Sequence, residues 1–77
     1  MAKLFTPEFC TLLDELKALD KKITRQMEDV YNTLIEQGVI TEEKVYVGTL
    51  ETIKRKKAIR IRLEELYNKY LEERGEG

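Results

Sequence analysis

The segment Gln37-Gly38-Val39-Ile40-Thr41-Glu42-Glu43 constrains this chain more than any other, because it holds a helix stop and a helix start within a few residues. Gly38 supplies the left-handed conformation that ends a helix, and Val39 and Ile40 are placed to fold back on its last turn. Thr41 offers an N-cap hydroxyl, and Glu42 and Glu43 suit the positive end of a following helix. Stretches with a helical apolar rhythm flank the segment on both sides, which predicts two neighbouring antiparallel helices joined there.

The first stretch opens on Thr6-Pro7-Glu8, an N-cap, a proline at the first helical position and an acid on the dipole. Phe9, Leu13, Leu16, Ile23, Met27, Val30 and Leu34 follow at steps of three and four, with Asp20 in the one vacant position. Leu12, Leu19 and Tyr31 widen the stripe. One helix over about 7–37 is expected. The second stretch is mixed. Val45, Thr49, Thr52, Lys56, Ile59, Leu63, Leu66 and Tyr70 predict a helix over about 42–74, most clearly from Ile59 onward, with Gly75 as its stop. A rival stripe, Tyr46-Leu50-Ile53, is rotated by one position. Strand formers crowd 44–49 and alternate over 58–63, so an α+β fold with a β-hairpin within 44–63 is the alternative. Lys54-Arg55-Lys56-Lys57 makes a poor hairpin loop, which favours an all-α antiparallel helical hairpin forming a single domain over 1–77.

Folding the chain about Gly38–Thr41 pairs Phe9 with Tyr70, Leu13 with Leu66 and Leu16 with Leu63. Nearer the turn it pairs Leu34 with Val45 and Val30 with Thr49. Asp20 then falls opposite Ile59 and close to Lys56, where a salt bridge to Lys56 or Arg60 is expected to fix the register. Tyr67 and Tyr70 are expected to join Phe5 and Phe9 in an aromatic cluster at the open end.

A chain of 77 residues buries a modest core and commonly needs a staple or a partner. Cys10 is the one cysteine, so no internal disulfide can form, and its place beside Phe9 and Leu13 reads as a small buried hydrophobe. Association is the remaining route to stability. Leu12, Leu19, Leu50, Ile53, Ile61 and Leu71 lie off the shared seam and are the expected interface of a homo-oligomer, most simply a dimer forming a four-helix bundle. A different protein partner would cover the same surface.

Charge points to a second possible partner. Acidic and basic residues nearly balance, 15 against 14, so only their distribution is informative. Lys54, Arg55, Lys56, Lys57, Arg60 and Arg62 form a run without an acid, and the pairing above sets Lys17, Lys21, Lys22 and Arg25 beside it. Such a belt is a candidate site for an anionic partner, nucleic acid included. Helical spacing spreads these charges around α-helical faces, and few aromatics interleave for base stacking. Acidic residues cluster at both ends of the hairpin, where charge blocks can select register and partner. The reading favoured is therefore a small non-catalytic interaction or regulatory protein working through helix–helix contacts. A nucleic-acid-binding regulator using the belt is the alternative.

No phosphate-cradling glycine loop or nucleophile–base arrangement occurs, the chain has no histidine, and one thiol cannot make a zinc site. No enzyme, metal or cofactor is expected. No segment approaches the roughly twenty apolar residues of a membrane span, and Met1–Phe5 lacks the apolar core of a signal peptide, so a cytoplasmic protein off the membrane is expected.

Overall fold

The computed structural model describes residues 3–75. Three α-helices and one short turn of 3₁₀ helix make up the fold: α1 Pro7–Asp20, α2 Arg25–Glu36, the turn Glu42–Lys44, and α3 Val47–Glu73. There is no strand among the described residues, so the β-hairpin within 44–63 is set aside. No helix among them is long and apolar enough to cross a membrane.

The local signals formed as their chemistry requires. Thr6 accepts a hydrogen bond from the Phe9 amide at 3.3 Å, and Pro7 opens α1. Gly38 takes φ +71° at the end of α2. The Val39 and Gly38 amides donate back to the Leu34 and Ile35 carbonyls at 2.9 and 3.1 Å, closing the last turn in a Schellman motif. Gly75 does the same service for α3 with φ +76°.

Two helix boundaries differ from the expectation. The continuous helix over 7–37 is broken between Asp20 and Arg25, where Thr24 caps α2 by accepting from the Met27 amide at 3.3 Å. No glycine or proline marks that break. The second long helix starts at Val47 instead of 42, because Thr41 opens only the 3₁₀ turn and makes no side-chain cap bond. Val45 is then extended and buried, which anchors the entry to α3 in the core.

α1 lies antiparallel on α3. Glu8 pairs with Arg62 at 2.8 Å and Glu15 with Arg55 at 2.5 Å, seven residues apart on each helix and in opposite order. The register is not the one expected. That register set Glu8 beside Leu71 and Glu15 beside Glu64; the observed one slides α1 toward the start of α3 and gives both acids a guanidinium. The slide is possible because α1 ends at Asp20 and is not tied to the turn at Gly38. The rings also divide differently. Phe5 packs edge-on to Phe9 with centroids 5.4 Å apart, and Tyr67 stacks on Tyr70 at 6.5 Å, with no ring contact between the two pairs among the described residues.

The core is small. Among the described residues only Phe9, Ile23, Val45, Ile53 and Ile59 are buried apolar side chains. The Cα radius of gyration, 15.3 Å, exceeds the roughly 11–12 Å of a compact chain this long, and the molecule measures 47 × 24 × 17 Å. Cys10 is exposed, not buried as expected. It sits about 100° around α1 from Phe9, and it is Phe9 that faces the core.

Candidate functional site

Three helices meet at a buried ion cluster. Lys56 on α3 has no exposed surface, nor has Glu28 in the first turn of α2. The Lys56 ammonium donates to the Ile23 carbonyl at 2.8 Å and lies 2.5 Å from Asp20 Oδ1 and 3.0 Å from Glu28 Oε1. The Glu28 contact is an ion pair and not an aligned hydrogen bond. The other Glu28 oxygen accepts from the Arg60 guanidinium.

The salt bridge expected of Asp20 is thus made with Lys56, and Arg60 takes Glu28 instead. The cluster also accounts for the break in the first half of the chain. Where α1 ends, the Ile23 carbonyl has left the helical ladder, and a buried carbonyl without a donor is costly. Lys56 supplies the donor from another helix.

Glu28 was not legible as a site residue. It lies off the continuous stripe that a straight helix would present, and only the break turns it toward α3. Burial pushes its carboxyl upward, but Arg60 and then Lys56, by contact and by charge, outweigh that and hold it below the usual carboxylate range. A depressed folded-state value means that the charged form stabilises the fold above the unfolded-state value of about 4.5, and that this contribution is lost as pH falls through the folded value. Thermal melts check the sign. The Tm is expected to hold between about pH 7 and 5, to fall between about pH 5 and 3, and to fall less over that second interval in Glu28→Gln.

The belt of positive charge is largely answered within the chain. Arg55 and Arg62 bind Glu15 and Glu8, Lys54 lies 3.5 Å from Glu42, Arg25 lies 3.4 Å from Asp29, and Arg60 holds Glu28. Hydrogen bonds from those arginines lower the carboxyls of Glu8 and Glu15. Lys17, Lys21, Lys22 and Lys57 are exposed and have no ion-pair partner among the described residues.

The six residues expected at an interface also separate. Ile53 is 3% exposed, covered by its own chain, so the expectation that it faces water in a monomer is corrected: the entry to α3 rotates the Leu50–Ile53 side partly inward. Leu12, Leu19, Leu50 and Leu71 are half-buried, and Ile61 is exposed.

A different apolar surface is open. Met27 and Val30, expected in the seam, are each 49% exposed, and Leu34 and Tyr31 beside them on α2 are only half-buried. Helical spacing puts these four on one side of α2, roughly 100° around from Glu28. Since the cluster fixes the Glu28 side against α3, the apolar side is left uncovered. It carries a shallow hollow of about 260 Å³ lined by Asp29, Val30, Thr33 and Leu34. Toward the start of α3 the surface turns mixed: Thr49 lines a second hollow with Lys21, Lys22, Thr24, Met27 and Tyr31, and a third with Lys22, Tyr46, Gly48 and Thr52. There Tyr46 is 79% exposed.

Comparison of the chain with family models, with curated proteins and with solved structures finds no match.

Proposed function

We propose that this chain is a small non-catalytic interaction protein that associates through helix–helix contacts, most simply as a dimer, and acts by presenting α2. The observation that carries this reading is the uncovered apolar side of α2, with Met27 and Val30 half exposed while the neighbouring Glu28 is pinned to α3. A helix that is amphipathic but turned with its apolar side to solvent invites a partner on that side. The small core supports the same view, since a domain this size gains stability from burial that an oligomer supplies. The ion pairs along α3 favour a protein partner over nucleic acid, because Arg55 and Arg62 already hold carboxylates.

Sedimentation equilibrium tests the reading. The wild-type chain is expected to exceed the monomer mass at tens of micromolar, and Met27→Glu with Val30→Glu is expected to return it to the monomer with its helical circular dichroism intact. A wild-type chain that stays monomeric at that concentration overturns the dimer. A doubly substituted chain that still associates moves the contact away from α2.

A further inference from the structure

The lysines without a partner are not spread evenly. Lys21 and Lys22 stand together where α1 gives way to α2, both exposed. The acids nearest them along the chain are spent elsewhere: Asp20 and Glu28 face the buried Lys56, and Asp29 pairs with Arg25. The cluster that joins the three helices thus leaves a positive corner beside it.

That corner is shaped as well as charged. Two adjoining hollows of about 280 and 270 Å³ share Lys22, Ile23 and Thr49. Met27 and Tyr31 wall the first, which Lys21 also lines, and the Tyr46 ring walls the second. The ring can lie against the first turn of α3 because residue 48 is glycine: a Cβ there would fall 2.9 Å from the ring carbon Cε1. Among the described residues no carboxylate lines either hollow. The hollow beside Pro7, the one on the outer side of α2 and the one between α2 and α3 each carry at least one.

We propose that this corner takes an acidic segment of a partner protein, with a carboxylate against Lys22 and an apolar side chain in each adjoining hollow. The proposal rests on the reading of α2 as the presented surface and names the chemistry of what it meets. Charge complementarity selects the acid, since the chain supplies none to these lysines. Size selects the apolar side chains. Each hollow falls short of the roughly 300–1,000 Å³ of a small-molecule site, and the two are separate, which suits side chains of a partner better than a single compact ligand. The composition also disfavours nucleic acid. Two lysines neutralise about two phosphates, against roughly six to ten for a protein bound strongly through the nucleic-acid backbone. Met27 and Ile23 would give a phosphate nothing.

Titration of the full chain at low salt, followed by amide nitrogen–proton resonances, tests the proposal with three probes. These are the peptide Gly-Ser-Leu-Asp-Glu-Leu-Ser-Gly, the same peptide with Asn and Gln in place of its acids, and oligothymidylate. The acidic peptide is expected to shift Lys22, Met27 and Thr49, and the amide peptide to shift none of them. Lys22→Glu is expected to weaken acidic-peptide binding roughly tenfold and Met27→Ser about fivefold. Lys57→Glu, at an exposed lysine away from the corner, is expected to leave it unchanged. Equal binding of the two peptides overturns the proposal, as does acidic-peptide binding that survives Met27→Ser. Oligothymidylate that binds more tightly than the peptide, and loses as much to Lys57→Glu as to Lys22→Glu, replaces the site with a diffuse basic surface. A chain that ignores both peptides, yet still loses self-association through Met27→Glu with Val30→Glu, defeats the proposal and leaves the reading of α2 standing. A monomeric wild type that binds the acidic peptide through Lys22 and Met27 defeats the dimer and upholds the proposal.

Discussion

Lys56→Met is expected to lower the unfolding free energy by about 3–5 kcal/mol, the loss typical of removing one partner from a buried ion pair. The substitution keeps an unbranched side chain one heavy atom shorter and takes away three interactions at once: the donor to the Ile23 carbonyl, the bridge to Asp20 and the charge beside Glu28. What remains is a buried carboxylate answered by Arg60, with Arg25 more distant at 3.9 Å, and a carbonyl at a helix break with no donor. A domain of this length has a total stability of about 4–12 kcal/mol, so the variant is expected to sit near the edge of folding. Urea titration followed by far-ultraviolet circular dichroism measures the effect. Lys56→Met with Glu28→Met is expected to recover a large part of it, since replacing a buried pair by apolar side chains of similar volume is far milder than breaking it. Asp20 is 46% exposed and Arg60 28% exposed at their side chains, so both can be hydrated once their partners are gone. A single variant that loses less than about 1 kcal/mol would show that the cluster does not hold the three helices together.

The second large effect is expected at Ile59, which is 1% exposed and the most buried apolar side chain of the described residues. Ile59→Ala removes three carbons from a small core and is expected to cost about 2–5 kcal/mol, the higher end applying if the surrounding helices cannot close the space. Ile61, two positions along the same helix and 52% exposed, is the control: Ile61→Ala is expected to change stability by no more than about 0.5 kcal/mol. Equal effects at the two positions would contradict the orientation of α3.

What could be seen in the residues beforehand follows from how far each cause acts. The caps at Thr6, the stop at Gly38 and the stop at Gly75 depend on neighbours within one helical turn, and all three formed. Asp20 and Lys56 announced each other as opposite charges set inside two apolar stripes, and they meet. The break after Asp20 had no such announcement. The stripe from Phe9 to Leu34 runs through it, and the group that supports it is an ammonium more than thirty residues away. Everything downstream of that missed break was misplaced with it: the register of α1 on α3, the partners of Arg55 and Arg62, and the outward turn of Met27 and Val30. Local patterning describes helices well and says little about which carbonyl a distant lysine will hold.

The two connections of α2 are unequal. Between α1 and α2 the chain has only Lys21 to Thr24, whereas Gln37 to Tyr46 separate α2 from α3 and contain nothing more regular than one turn of 3₁₀ helix. The helix is therefore leashed short at its start and long at its end, and the ion cluster grips it at the short end. Mechanically it is a lever with its fulcrum beside Glu28. A small change in how Lys56 and Arg60 hold that carboxylate would move Leu34 and Glu36 much farther than Arg25, so the far end of α2 is where a disturbance of the cluster would be felt most.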